Sequence, residues 1–115
     1  MKKTVIAFMF LFFSASFLKA GALDSLDQAN RYYLSDDFAR AIESYENLIN
    51  QGYEPAALYY NLGNAHYKRG NLARAILNYE RALLLAPNDE DIRFNLELVN
   101  QFVVDRLRPC PSPFS

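Results

Sequence analysis

Polar and turn-forming residues divide most of this chain into segments with the apolar spacing of amphipathic helices. Ser35-Asp36-Asp37 offers an N-cap to one segment and Asn71 offers an N-cap to another. Gly52 suits the left-handed residue that follows a helix end, and Gly70 breaks the segment before Asn71. We therefore predict five helices, over residues 23–34, 38–50, 56–69, 72–86 and 89–107.

The predicted helices are organised as a repeat, because the chain overlays itself when shifted by 34 residues. A 34-residue period of paired helices predicts stacked helix–turn–helix units, each of which buries its apolar face on its neighbour. The residues that recur are Ala39-Arg40-Ala41-Ile42 as Ala73-Arg74-Ala75-Ile76, Tyr45-Glu46 as Tyr79-Glu80, Asn30 as Asn64, and Tyr33 as Tyr67.

The second unit, residues 56–89, resembles the tetratricopeptide repeat (TPR) in residue type as well as in length. Small Gly63 and Ala75 stand where the two helices cross, and the aromatic residues Tyr59 and Tyr79 fill the space beside them. Pro87 ends the second helix of the unit. The resemblance implies an all-α TPR helical solenoid of two helix pairs plus a fifth C-terminal helix.

The first unit, residues 22–55, follows the repeat less closely. Ser25 and Gln28 occupy positions that usually hold large apolar residues, and Leu48 replaces the small residue found at Ala82. Terminal repeats are often atypical because one side faces water. We therefore assign residues 23–107 to one TPR domain.

The first 22 residues have the layout of a secretory signal peptide. A basic start at Lys2 and Lys3 precedes an apolar run over residues 5–18, and small residues follow at Ala20 and Ala22. The alternative is an uncleaved membrane anchor, although 14 apolar residues are short of the roughly 20 that span a bilayer. We expect an exported protein, periplasmic or associated with the periplasmic side of the cytoplasmic membrane.

Charge and cysteine content exclude some classes of partner. Removal of the signal peptide leaves nine basic against 13 acidic residues, a net charge of about −4, which argues against nucleic acid. The single cysteine, Cys110, has no partner for an internal disulfide, and we interpret it as an incidental thiol in a Pro-rich tail over residues 108–115.

Residues on the first helix of each predicted pair are candidates for binding a protein partner in the concave groove of the solenoid. Asn can hydrogen-bond a peptide backbone as donor and as acceptor, and exposed Tyr provides rigid contact area with a polar tip. The alternative is that some of these tyrosines pack between units. The candidate groove residues are Asn30, Tyr33, Tyr60, Asn64, Tyr67 and Lys68.

One known TPR binding mode is excluded by the sequence. Some TPR proteins hold a partner's C-terminal carboxylate with Lys, Arg and Asn side chains, and Asn30 and Asn61 match that set. Leu26, Asp91 and Asn95 stand where the cations would be, so a terminal carboxylate would not be neutralised.

The fifth helix carries two apolar rows, which implies that it is covered on two sides. We expect the row made of Ile92, Leu96, Val99, Val103 and Leu107 to pack on the fourth helix. The row made of Phe94, Leu98 and Phe102 would then serve a partner, a further helix, a membrane or a second copy of the chain. Self-association through this helix is the alternative function.

An enzyme is not expected. The single histidine, His66, occupies a packing position of the repeat, and no Cys, His, Asp or Glu cluster has metal-ligand spacing. The acidic groups at residues 36–37 and 89–91 precede helices, where carboxylates interact favourably with the helix N-terminus. We predict no catalytic residues, no metal and no cofactor.

Several segments of the chain match one group of TPR proteins more specifically: LYYNLGNA at 58–65, AI at 75–76, YERAL at 79–83, PNDEDI at 87–92 and NL at 95–96. On these segments the chain resembles the TPR proteins of the Bacteroides aerotolerance (Bat) operon, often called BatE. The resemblance implies an envelope protein that works with von Willebrand A-domain Bat proteins and MoxR-type ATPases in stress tolerance. Members usually continue into membrane helices, so we expect this chain to be a truncated form. Any membrane association would then come from a missing C-terminal region or from an uncleaved signal, and the membrane attachment of the family is not carried over to this chain.

Overall fold

A computed structural model describes residue 21 and residues 24–108 of the chain. The predicted signal peptide, apart from Gly21, lies outside the described residues, as do Cys110 and the tail after residue 108.

The regular structure of the described residues is helical throughout. Helix α1 covers residues 24–34 and is followed by α2 (Phe38–Asn50), α3 (Ala56–Lys68), α4 (Leu72–Leu85) and α5 (Glu90–Leu107). The predicted all-α fold class, with two helix pairs and a fifth helix, is confirmed.

Side-chain caps start three of the helices where the sequence predicts them. Asp37 Oδ1 accepts a hydrogen bond from the backbone N–H of Arg40 at 3.3 Å, and Asn71 Oδ1 accepts one from Arg74 at 3.3 Å. Asp89 Oδ1 accepts from the N–H groups of Asp91 and Ile92, which begins α5. Each cap satisfies a backbone donor that the first helical turn leaves unpaired.

The described residues divide into two compact units, one ending at Tyr53 and the other beginning at Glu54. The first, which we call the N-terminal unit, contains α1 and α2 and buries Ala29, Ala41, Tyr45 and Leu48. The second, the C-terminal unit, contains α3, α4 and α5, and α4 packs against both of the other helices. The buried apolar residues of the C-terminal unit are Leu58, Tyr59, Leu62, Ala65, Ala75, Tyr79, Ala82, Ile92 and Val99.

Helices α3 and α4 approach each other closely at Gly63. A Cβ atom placed on Gly63 would lie 2.7 Å from both Cδ1 and Cε1 of Tyr79. Carbon atoms do not pack at that distance, so α3 and α4 take this spacing because position 63 lacks a side chain. The aromatic ring of α4 fills the space that the glycine leaves open.

No helix among the described residues is long and apolar enough to cross a membrane.

Candidate functional site

The same partly buried Tyr–Asn hydrogen bond occurs once in each unit and involves two of the predicted groove residues. Tyr45 Oη donates to Asn30 Oδ1 at 2.5 Å, and Tyr79 Oη donates to Asn64 Oδ1 at 2.5 Å. Both tyrosines are 1 % exposed. The carboxamide oxygens predicted to face a partner are therefore engaged with core tyrosines.

Asn95 on α5 connects this bond to the surface of α3. Its Nδ2 donates to Tyr60 Oη at 3.0 Å and to Asn64 Oδ1 at 3.0 Å. The oxygen of Asn64 thus accepts two hydrogen bonds, which fills both of its lone pairs. Asn64 has no acceptor left for a partner backbone, so its contribution in the structure is to hold Tyr79 and α5 together, while Asn95 itself holds Tyr60.

An aromatic contact joins the same two helices one to two turns further on. The rings of Tyr67 on α3 and Phe102 on α5 are stacked, with centroids 6.3 Å apart and an angle of 24° between the planes. Asn95 meets the first half of α3 and Phe102 meets its last turn, so α3 and α5 run in the same direction. Two candidate surfaces that lie far apart in the sequence are therefore one continuous surface.

We call this surface the aromatic face and define it by Tyr60, Tyr67, Phe94, Leu98 and Phe102. Its α5 side chains remain accessible: Phe94 is 65 % exposed, Leu98 39 % and Phe102 41 %. Tyr60 and Tyr67 are half-buried. A row of partly exposed aromatic and aliphatic side chains across two helices is the kind of patch that marks an interaction surface.

The other apolar row of α5 packs inward along most of its length. Ile92 and Val99 are buried, and Leu96 and Val103 are half-buried. Leu107, a predicted member of this packed row, is 77 % exposed. That part of the prediction is wrong, since packing ends before the last turn of α5.

A cleft of about 490 Å³ lies at the C-terminal end of the aromatic face. A second cleft of about 500 Å³ shares Gly70, Leu72 and Arg106 with it. Lys68, a predicted groove residue, is exposed on the rim of the first cleft. The residues that line the first cleft are Tyr67, Lys68, Gly70, Leu72, Phe102, Asp105 and Arg106.

The two predicted groove residues of the N-terminal unit lie on α1. Asn30 is half-buried and holds Tyr45, as described above. The half-buried ring of Tyr33 contacts Phe38 of α2 edge-on, with centroids 5.3 Å apart. In this unit both residues contribute to the packing of α1 on α2.

Sequence reasoning missed Asn95 as a site residue, and it missed the continuity of the aromatic face. A signal for both was present in the 34-residue period. Applying the shift once more places Phe94, Leu98 and Phe102 at the positions of Tyr60, Asn64 and Lys68. The exposed row of α5 therefore occupies the same repeat positions as the groove residues of α3.

Two ionisable side chains of the core, His66 and Tyr59, have pKa values shifted mainly by burial. Burial, followed by the nearby charges of Arg74 and Arg69, lowers the pKa of His66. Burial and a 3.0 Å hydrogen bond to Glu54 raise the pKa of Tyr59. Across the described residues, no group of three or more His, Cys, Asp or Glu could hold a metal ion.

Comparisons with known proteins agree with the helix pairing. Residues 56–89 match the tetratricopeptide repeat family, and these residues contain the pair α3 and α4. In a search of curated proteins, none matches the chain significantly. This family consists of repeats that mediate protein–protein interaction and is not enzymatic. Residues 56–89 of the chain therefore form a tetratricopeptide repeat.

Proposed function

We propose that this protein is a non-enzymatic scaffold that binds a protein partner through the aromatic face of its C-terminal unit. The observation that carries the proposal is the continuity of that face. The Tyr67–Phe102 stack and the Asn95 hydrogen bonds fix α3 and α5 side by side, while Phe94 and Leu98 stay accessible.

The chemistry of the face suits protein binding. Aromatic side chains bury a large area and lose few rotamers, and they are enriched among residues that dominate binding energy. The packed and hydrogen-bonded base of the face reduces the ordering that a partner must induce. Asn30, Tyr33, Asn64 and Lys68 belong to the proposal in a secondary role, since three of them hold neighbouring side chains and Lys68 supplies charge at the edge.

We further propose that the protein acts outside the cytoplasmic membrane, in an envelope complex related to aerotolerance or stress. The signal-peptide layout of residues 1–22 supports export. The resemblance of residues 58–96 to Bat-operon TPR proteins supports von Willebrand A-domain proteins as the partners. Membrane association would come from a C-terminal continuation or from an uncleaved signal. Fractionation of source cells with an antibody against residues 23–115 tests location: a band confined to the cytoplasm would contradict export.

Site-specific photo-crosslinking tests the binding surface. A benzoylphenylalanine replaces Phe94 in one variant and Leu84 of α4 in a second. Leu84 is a matched control because it is also an exposed apolar residue of the same unit, at 84 % exposure. We expect a discrete crosslinked partner from position 94 and none from position 84.

The partner identified in this way is then purified and its affinity for the chain is measured. Phe94→Ala should weaken binding about tenfold or more, whereas Leu84→Ala should leave it unchanged. Equal effects of the two substitutions would refute the aromatic face as the binding site. If the crosslinked partner is a second copy of the chain, sedimentation that depends on concentration would support self-association through α5 instead.

A further inference from the structure

The cleft at the C-terminal end of the aromatic face combines an apolar wall with positive charge. The stacked rings of Tyr67 and Phe102 and the half-buried side chain of Leu72 provide the apolar part. Lys68 and Arg106 line the same cleft, and Asp105 is the carboxylate among its lining residues. The adjoining cleft adds the guanidinium of Arg69.

This positive charge contrasts with the rest of the protein. The chain as a whole carries a formal charge of −1, whereas the three cations around the two clefts face one acid. Part of that charge complements the C-terminal ends of α3 and α5, each of which carries roughly half a negative charge. About one positive charge remains after both helix ends are taken into account.

Within the described part of the chain, the cations of the clefts are not occupied by intramolecular ion pairs. The ion pairs found there are Arg31–Asp27 and Arg40–Asp37, both in the N-terminal unit. Lys68, Arg69 and Arg106 are all exposed. Their charges are available to a ligand that also covers the aromatic wall.

We propose that this cleft binds an acidic segment of the partner, in which an apolar side chain is flanked by Asp or Glu. The apolar side chain would pack against Tyr67, Phe102 and Leu72, and the flanking carboxylates would pair with Lys68 and Arg106. The proposal rests on the function proposed above and specifies the chemistry of the partner at one end of the aromatic face.

Side-chain carboxylates fit this cleft better than a single terminal carboxylate. The three cations are distributed over the end of α3 and the last turns of α5, so they can pair with acids on both sides of an anchoring residue. A single terminal carboxylate would engage only part of this distributed charge. We therefore commit to an internal acidic segment.

Synthetic peptides test the proposal on the full chain. The probe is an acetylated, amidated and fluorescein-labelled peptide with the core Asp-Glu-Phe-Asp-Glu. Two control peptides carry Asn-Gln-Phe-Asn-Gln, which removes the charge, or Asp-Glu-Ala-Asp-Glu, which removes the anchor. Fluorescence anisotropy gives the Kd of each peptide at 50 mM and at 500 mM salt.

We expect the acidic Phe peptide to bind about five- to tenfold more tightly than the neutral one at low salt, and this advantage should shrink at high salt. The Ala peptide should bind at least tenfold more weakly than the acidic Phe peptide. A free carboxyl terminus on the probe should add no affinity. A large gain from that carboxylate, or equal binding of acidic and neutral peptides, would overturn the proposal.

Variants locate the binding to the cleft. The double substitution Lys68→Ala with Arg106→Ala should abolish the preference for the acidic peptide, while Phe102→Ala should weaken the acidic and neutral Phe peptides alike. Arg93→Ala is the matched control, since it removes one cation near the other end of α5, and it should leave the preference intact. Loss of the preference in Arg93→Ala would show a diffuse effect of net charge and would refute the cleft.

The experiments distinguish failure of the acidic-ligand proposal from failure of the proposed function. If the acidic peptide does not bind but Phe94→Ala still weakens the crosslinked partner, the aromatic face stands and only the acidic ligand is wrong. If Phe94→Ala and Leu84→Ala affect that partner equally, the proposed function fails whatever the peptides do.

Discussion

The helix pair of the N-terminal unit and the first helix pair of the C-terminal unit share a Tyr–Asn hydrogen bond and a helix cap. They differ in the side chains at several equivalent positions. In both, a tyrosine of the second helix donates to an asparagine of the first, and an Asp or Asn caps the second helix. The differences lie at equivalent positions 34 residues apart: Ala29 and Gly63, Tyr32 and His66, Asp36 and Gly70. The shared hydrogen bonds and caps hold the two helices of each pair together. The differing positions set the helix spacing, the pH dependence of stability and the backbone strain at the turn in each pair.

The largest effect is expected from the tyrosine that both pairs share. Tyr79→Ala removes a side chain that is 1 % exposed and opens a cavity beside Gly63. It should lower the free energy of unfolding by about 3–5 kcal/mol, measured by urea denaturation followed by circular dichroism.

Tyr79→Phe is the control that separates the ring from its hydroxyl. It keeps the aromatic ring and removes the hydroxyl that donates to Asn64, so it should cost about 1 kcal/mol. A loss from Tyr79→Phe as large as that from Tyr79→Ala would show that the hydrogen bond, and not the packing, stabilises the pair.

The second prediction concerns the position where the two pairs differ in size. Gly63→Ala introduces a methyl group 2.7 Å from two ring carbons of Tyr79, so the ring or the helix must move. Although alanine favours a helix by up to about 1 kcal/mol, we expect a net loss of about 1–3 kcal/mol in the same denaturation experiment.

The N-terminal unit supplies the reciprocal control, because its equivalent residue is already an alanine. Ala29 is fully buried, and Ala29→Gly relieves no clash while lowering helix propensity. It should therefore destabilise the chain by about 1 kcal/mol through propensity and lost packing. Stabilisation by Gly63→Ala would mean that both pairs accept the same helix spacing.

The helices, their caps and their turns could largely be predicted from the sequence because they depend on local signals. The caps at Asp37, Asn71 and Asp89 and the positive-φ glycines Gly52 and Gly70 follow from residue type and position alone. Helix bounds agree with prediction to within one or two residues at their described ends.

The candidate site was less predictable because it depends on how α5 lies against α3. The Asn95 hydrogen bonds span 31 and 35 residues, and the Tyr67–Phe102 stack also joins separate helices. Residue type gave no sign of either contact. Only the extension of the repeat register into α5 relates Phe94, Leu98 and Phe102 to the residues of α3.

The third prediction uses the difference between Tyr32 and His66. The Arg40 guanidinium lies 5.8 Å from the ring centroid of Tyr32, an attraction that does not depend on pH near neutrality. In the C-terminal unit, burial and then the charges of Arg74 and Arg69 lower the pKa of His66 below its ordinary value of 6.5. The unfolded chain therefore binds a proton more readily than the folded chain does.

It follows that His66 favours folding above about pH 6.5 and that stability is lost as the pH falls from that value toward the lower pKa of the folded state. The slope can reach about 1.4 kcal/mol per pH unit. We expect urea midpoints to fall between pH 7 and pH 5.5, and His66→Tyr should remove that part of the decline. An unchanged decline in His66→Tyr would assign it to carboxylates.

The smallest effect is expected at the turn between the helices of the N-terminal unit. Asp36 has a φ of 61°, whereas the equivalent residue of the C-terminal unit is a glycine with a φ of 80°. A side chain at positive φ meets a steric cost that glycine avoids, although Asp tolerates this region better than most residues. Asp36→Gly should therefore stabilise the chain by about 0.5 kcal/mol, and Gly70→Asp should destabilise it by about 0.5–1 kcal/mol.

Asp36→Ala separates backbone strain from charge, since it removes the carboxylate and keeps the Cβ. If strain dominates, Asp36→Ala gives no stabilisation and Asp36→Gly does, in denaturation experiments resolved to a few tenths of a kcal/mol. If both substitutions stabilise equally, the gain comes from removing a negative charge beside Asp37, and the two turns differ in electrostatics. Because Asp36 sits next to the cap of α2, where a negative charge is favourable, we expect the first outcome.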